Sequence, residues 1–266
     1  MRSMESKLKG KVAIVTGSSS GIGAAAVRML ADRGCNVVIN YSRSEGPAEA
    51  VAEECRAKGV EAIAVKADVG DDADCRRLVQ AAVDKWGRVD CLVNNAGTTK
   101  FVAHDDLDGL DADDFLNIYR INVVGGYQMI RAARDHLKAS GDGSVVNVSS
   151  IAGVMGTGSC VAYAASKGAV NTMTLSLARA LGPEIRVNTV CPGFVQGSWL
   201  REGMGAEKYD RTLQHLEDTT ALRRAGGPEH MAEAILMFLE SGNHITGEFL
   251  LADGGMHLAG APLRAN

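Results

Sequence analysis

Short apolar runs rich in β-branched residues alternate along this chain with stretches whose apolar positions recur every three or four residues. The runs predict strands at 11–17 (KVAIVTG), 36–41 (NVVINY), 62–69 (AIAVKADV), 91–97 (CLVNNAG), 145–149, 185–193 (IRVNTVCPG) and 248–255 (EFLLADGG). The periodic stretches predict helices at 24–34 and 48–59, closed by Gly34 and Gly59, at about 72–86 and 112–138, from Tyr163 onward, and at 230–241. A Gly-rich loop is expected at 153–158. Regular alternation of strand and helix means parallel strands joined by right-handed crossovers. The expected fold is therefore α/β, a doubly wound Rossmann-type parallel sheet of about seven strands with helices on both faces, in a single domain spanning 1–266. Such a sheet takes its ligand at the C-terminal ends of the strands. No Pro/Ser-rich linker divides the chain; residues 1–9 are expected to form a flexible tail. Residues of about 194–220 are polar, Gly-punctuated and weakly helical, as expected of a substrate loop or lid.

Composition narrows the picture mainly by exclusion. The 266 residues are 46% hydrophobic and 23% charged, as in an ordinary globular protein, and the net charge of −4 comes without a basic cluster, so no nucleic-acid partner is expected. No apolar run reaches membrane-spanning length and residues 1–10 lack the apolar core of a signal peptide, which predicts a cytoplasmic protein without a membrane partner. The six cysteines, at 35, 55, 75, 91, 160 and 191, show no metal-binding spacing and read as small apolar residues in a reducing compartment; the six histidines are scattered and no metal is expected.

Two stretches carry candidate chemistry. TGSSSGIG, with Gly17, Gly21 and Gly23, lies between a strand and a helix, where glycine lets backbone approach a pyrophosphate and the helix N-terminus holds its charge. The same turn would also serve a purely structural purpose. In YAASK, Tyr163 and Lys167 are i and i+4 on one helix face. Lowering a phenol from a pKa near 10 to neutrality takes about 4 kcal/mol, and an ammonium about 4 Å away at an effective dielectric near 20 supplies that much. Tyr163 and Lys167 thus fit a proton-transfer pair, with Ser150 at the end of the preceding strand able to hydrogen-bond the same reacting oxygen. Taken alone, such a pair usually means a solvated helix face. Within 112–138, Gly125 and Gly126 weaken the helix beside Asn122, and a kink there would free carbonyl groups to bind water.

Taken in order, TGSSSGIG, Asp68-Val69, NNAG, Asn122, Ser150, Tyr163, Lys167, Pro192-Gly193, ITG and DGG resemble the short-chain dehydrogenase/reductase family, across residues of about 10–256. Ser150, thirteen residues before Tyr163, matches the family serine. The resemblance implies Tyr163 as acid in carbonyl reduction and base in alcohol oxidation, Ser150 as stabiliser of the developing oxyanion, and Lys167 as the group that binds the nicotinamide ribose and lowers the Tyr163 pKa. Asn122 would hold a water that links Lys167 to solvent. It implies a nicotinamide cofactor among Gly17, Ser19, Ser20, Gly21, Ile22, Asn95, Ala96, Gly97, Tyr163, Lys167, Pro192, Gly193 and Val195, its adenine flanked by Asp68 and Val69. Tyr41 stands where NAD-dependent members carry an acid, so NADP(H) is favoured, its 2′-phosphate met by Arg43 with Asn40 and Ser42; NAD(H) is the alternative. Gly197 stands where the family commonly has Thr, which shifts carboxamide contact to Ser198 or the backbone.

The nearest branch by resemblance is 3-oxoacyl-acyl-carrier-protein reductase. Yet residues 139–143 (ASGDG) and 182–184 (GPE) are neutral or acidic where that branch places basic residues, with only Lys138 nearby. A small free carbonyl or secondary alcohol is therefore the expected substrate. A sugar or hydroxysteroid dehydrogenase using NAD and a non-catalytic nucleotide-binding protein are the other readings. A homotetramer is implied, built through the helices holding Asn122 and Tyr163 and through the apolar C-terminal segment 249–263.

Overall fold

The computed structural model describes residues 6–258. Its strands are β1 (Val12–Val15), β2 (Asn36–Tyr41), β3 (Ala62–Lys66), β4 (Cys91–Asn94), β5 (Gly143–Val148), β6 (Ile185–Pro192) and β7 (Phe249–Ala252). They form one sheet in the order β3-β2-β1-β4-β5-β6-β7, all neighbours parallel. The helices are α1 (Gly21–Asp32), α2 (Glu45–Arg56), α3 (Asp72–Trp86), α4 (Ala112–Tyr119), α5 (Gly126–Ala139), α6 (Ala152–Met155), α7 (Val161–Leu181), α8 (Ser198–Met204), α9 (Ala206–Thr219) and α10 (Pro228–Leu236).

The period of two in a strand explains why the sheet is buried on both sides. In β1, Ala13 and Val15 join the core under α1, α2 and α10, whereas Val12 and Ile14 join the core under α3, α5 and α7. All six cysteines are buried free thiols, four of them within these two layers. Strand order reverses between β1 and β4, which opens a crevice at their C-terminal ends.

Several local expectations change. The long periodic stretch from 112 is two α-helices joined by a π-helical segment, Arg120–Gly125, placed where the glycine pair allows the wider turn. The helix expected at 230–241 likewise ends in a π segment, Met237–Ser241. The first part of the loop expected at 153–158 is helix α6, and the 194–220 segment is mostly helix, α8 and α9. Residues 6–9 are not a loose tail: Leu8 is fully buried in the core and Ser6 Oγ donates to Glu240 Oε1 at 2.6 Å. Residues 1–5, and the 259–263 part of the apolar C-terminal segment, lie outside the described residues.

Candidate active site

Strand β5 ends just before the two serines, and ladder bonds continue beyond it: Ser149 N donates to Val190 O and Ile151 N to Pro192 O. Ser149 spends its hydroxyl on Lys167 O at 3.0 Å, leaving Ser150 to face the other way, where its Oγ accepts from Ala152 N. Helix α7 starts at an unusual cap, Cys160, whose Sγ accepts from Tyr163 N. A single turn separates Tyr163 from Lys167, and the Lys167 Nζ lies 5.5 Å from the centre of the Tyr163 ring. That ammonium is buried and donates to Val148 O at 2.9 Å.

Asn122 is pinned by three bonds: its Oδ1 accepts from Thr98 N, and its Nδ2 donates to Thr98 O and to Ser166 Oγ. Ser166 in turn donates to Tyr163 O at 2.7 Å. The π segment is thereby fastened to α7; both Asn122 Nδ2 hydrogens are committed, while its Oδ1 keeps one lone pair beyond the Thr98 N–H and the backbone carbonyls of this segment offer further acceptors. Beside it lies a small cavity of about 10 Å³ whose lining includes Thr16, Asn94, Asn122 and Asn147, room for about one water. Asn94 Oδ1 is buried without a hydrogen-bond partner among the described residues, and Asn94 lines the same pocket.

Electrostatics differ from the expectation of a phenol pulled down by lysine. Burial pushes Tyr163 up to about 12, and a hydrogen bond with Ser150 offsets only part of this. Burial also pushes Lys167 down to about 8. The two groups are desolvated together, and for the phenol that loss of water outweighs the hydrogen bond that opposes it.

The crevice end fits a dinucleotide in its backbone geometry. Gly17 has φ +61°, and a Cβ there would lie 2.9 Å from Ala96 Cα; one at Gly23 would lie 2.6 Å from Asn95 Nδ2. Only glycine lets this turn close against the NNAG segment. Asn95 holds it by donating to Thr16 O and Gly17 O, while Thr16 Oγ1 accepts from Asn95 N and Ala96 N. Ser20 makes no side-chain cap on α1 and a Cβ at Gly21 would meet nothing within 4 Å, so the first turn of α1, with Ile22, is open to an anion. Ser19 is half-buried and Ser20 exposed beside it. Gly97 lies against Asn122 Oδ1 and Lys167 Nζ, 3.4 and 3.7 Å from where a Cβ would stand. Gly193 packs on Asp253, and Val195 bridges to Gly226.

Asn40 is a correction. It is buried and committed, its Oδ1 accepting from Gly17 N and its Nδ2 donating to Ala67 O, so it braces the glycine turn and cannot reach a 2′-phosphate. Ser42 and Arg43 are exposed, and Arg43 makes no ion pair among the described residues. Tyr41 is buried and its hydroxyl meets Glu45; burial first, then the Glu45 carboxylate, raises its pKa. Asp68 is tied to Arg120 at 3.0 Å and accepts from Gly70 N, with Val69 packed under Gly125.

Three contributors were not singled out from sequence. Thr98 and Ser166 hold Asn122, and Trp199 stands 6.3 Å, ring centre to ring centre, from Tyr163. A tryptophan in an otherwise polar segment is the sequence signal for the last.

The profile described as short chain dehydrogenase matches residues 11–207. Over 247 residues the chain is 44% identical to a Streptomyces violaceoruber protein designated ketoacyl reductase 2 of the granaticin polyketide synthase, covering 93% of this chain and 96% of that one. It is 38% identical to the L-rhamnose 1-dehydrogenase (NAD(P)(+)) of a Sphingomonas species, covering 94% and 98%. A solved Burkholderia xenovorans structure described as a short-chain dehydrogenase/reductase superposes with a TM-score of 0.87 at 41% identity, covering 94% of this chain and 98% of that one.

Proposed function

Because the chain belongs to the short-chain dehydrogenase family, we propose that this oxidoreductase interconverts a carbonyl and a secondary alcohol on a small free substrate, with Tyr163 moving the proton. The observation that carries the reading is the convergence of Ser150, Tyr163 and Lys167 at the end of β5, braced from the π segment by Asn122. When bound, the nicotinamide supplies or takes the hydride. The chain's own residues do the rest. Tyr163, held protonated at neutral pH by burial, donates its proton to the carbonyl oxygen in reduction, and Ser150 stabilises the charge that develops there. Lys167 meets the nicotinamide ribose beside Gly97, and its positive charge eases loss of the Tyr163 proton. Gly17, Gly21, Ile22 and Asn95–Gly97 hold the dinucleotide backbone, with Ser19 and Ser20 at the phosphate end, Pro192, Gly193 and Val195 at the nicotinamide end, and Asp68 and Val69 at the adenine.

NADP(H) is the favoured cofactor, on the strength of exposed Arg43 and Ser42 and the absence of an acid at position 41. NAD(H) is the second reading, favoured by the Glu45 carboxylate beside Tyr41, which would repel a 2′-phosphate. Carrier-bound substrates are disfavoured: the lysines near residues 139–143 and 182–184 are paired within the protein, Lys138 with Glu184 at 2.6 Å and Lys11 with Asp142 at 2.9 Å. A cytoplasmic homotetramer completes the proposal. The test is Tyr163→Phe, which removes only the transferable proton. Turnover should fall below a few per cent of the parent rate while dinucleotide affinity stays within about twofold; a retained rate would mean a different acid.

A further inference from the structure

Trp199, the second residue of α8, stands half exposed between two other rings, with centroids 6.1 Å from Phe101 and 6.3 Å from Tyr163. Phe101 is held in place from behind, since a Cβ at Gly203 would overlap its ring. We propose that Phe101 and Trp199 form an aromatic slot that selects substrates carrying a flat apolar group next to the reacting carbonyl. This rests on Tyr163 as the proton donor, because nearness to that phenol is what makes the slot part of the substrate path.

The polar side chains of the same segments argue in the same direction, because most are already spent within the protein. Thr99 Oγ1 is bonded to Ser159 Oγ, His104 Nε2 donates to Gly158 O, and Gln196 Nε2 donates to Ala225 O. Lys100 is paired with Asp114, and Arg201 with Asp210. In these segments the Thr98 and Ser198 hydroxyls and the Glu202 carboxylate carry no such bond among the described residues. A polyhydroxylated substrate would lose its water to a wall that returns few hydrogen bonds. A ring, by contrast, exchanges water for edge and face contacts with Trp199 and Phe101. The wall is also stiff: Val102 N donates to Ser159 O at 2.9 Å, tying the Phe101 loop to the residue just before the α7 cap.

The test compares acetophenone, its saturated analogue cyclohexyl methyl ketone, and fructose as a keto sugar, for the full-length enzyme with each dinucleotide. The slot predicts kcat/KM at least tenfold higher for acetophenone than for the saturated ketone, carried by KM, with fructose poorest. In Trp199→Ala the aryl preference should fall below threefold, and Trp199→Phe should restore most of it. A preference unchanged in Trp199→Ala, or fructose as the best substrate, would overturn the slot. Binding is read separately from chemistry in Tyr163→Phe, by quenching of tryptophan fluorescence on titration with acetophenone. Trp86, the other tryptophan, ends α3 and donates to Glu61 just before β3, at the N-terminal end of the strand, and serves as the silent reference. Quenching that is lost in the Tyr163→Phe/Trp199→Phe double variant supports the slot even where turnover fails; no quenching refutes it independently of the proton-transfer reading.

Discussion

Lys167 is where catalysis and stability pull against each other. Its folded pKa of about 8 lies below the ordinary lysine value of 10.5 because the ammonium is buried. Between those values the unfolded chain binds more protons than the folded one, so this group makes stability rise with pH from 8 to 10.5. Below pH 8 the whole burial cost is present. Lys167→Met should therefore stabilise the fold at pH 7 by about 2 kcal/mol, after allowing for the Val148 carbonyl left unpaired, while destroying turnover. The burial cost fades as pH rises but the unpaired carbonyl remains, so the gain should vanish before pH 10.5 and reverse there, as read from urea melts of parent and variant across pH. Tyr163 has the opposite sign: its folded value near 12 costs stability above pH 10, equally in both proteins, and so cancels in the difference. A variant less stable than its parent at pH 7 would mean that the lysine's bonds outweigh its desolvation.

At the scale of elements, the site depends on how closely α6 approaches α7. A Cβ at Gly153 would overlap the Lys167 carbonyl carbon and the Gly168 nitrogen, backbone atoms that have no rotamer with which to yield. Gly153→Ala should cost more than about 2 kcal/mol in denaturant melts and lower kcat, because the strain separates Ser150 from Tyr163. Wild-type-like values for both would mean that α6 can slide freely. This contact also marks a limit of what the sequence makes legible. Strands, helices and the order of motifs can be read because each depends on local periodicity and spacing, and the Ser150 and Tyr163 positions follow from the ends of β5 and the start of α7. The pinning of Asn122 by Thr98 and Ser166 depends on three segments meeting, which no local pattern encodes. Asn40 misled for a related reason: an asparagine at a strand's end reads as a ligand contact, yet here the amide is enclosed and satisfies the glycine turn. The phenol's pKa failed in sign because spacing gives the charge pair but not its dehydration.

For the whole molecule, the sheet is covered on both faces, yet Phe115 and Leu116 of α4, Val124 of the π segment and Tyr127 of α5 remain exposed. Apolar side chains gathered on successive turns beside the site favour a partner copy over water. Light scattering at micromolar concentration should give about four times the 27.9 kDa of one chain, and a one-chain mass would refute the tetramer. The buried cysteines carry a separate consequence. Burial lifts Cys55 and Cys191 to about 11 and Cys75 and Cys91 to about 12, so at neutral pH their reactive thiolate forms are almost absent as well as sealed from reagents. With these thiols distributed over β4, β6, α2 and α3, alkylation becomes a clock for opening of each layer of the fold, read without any introduced label.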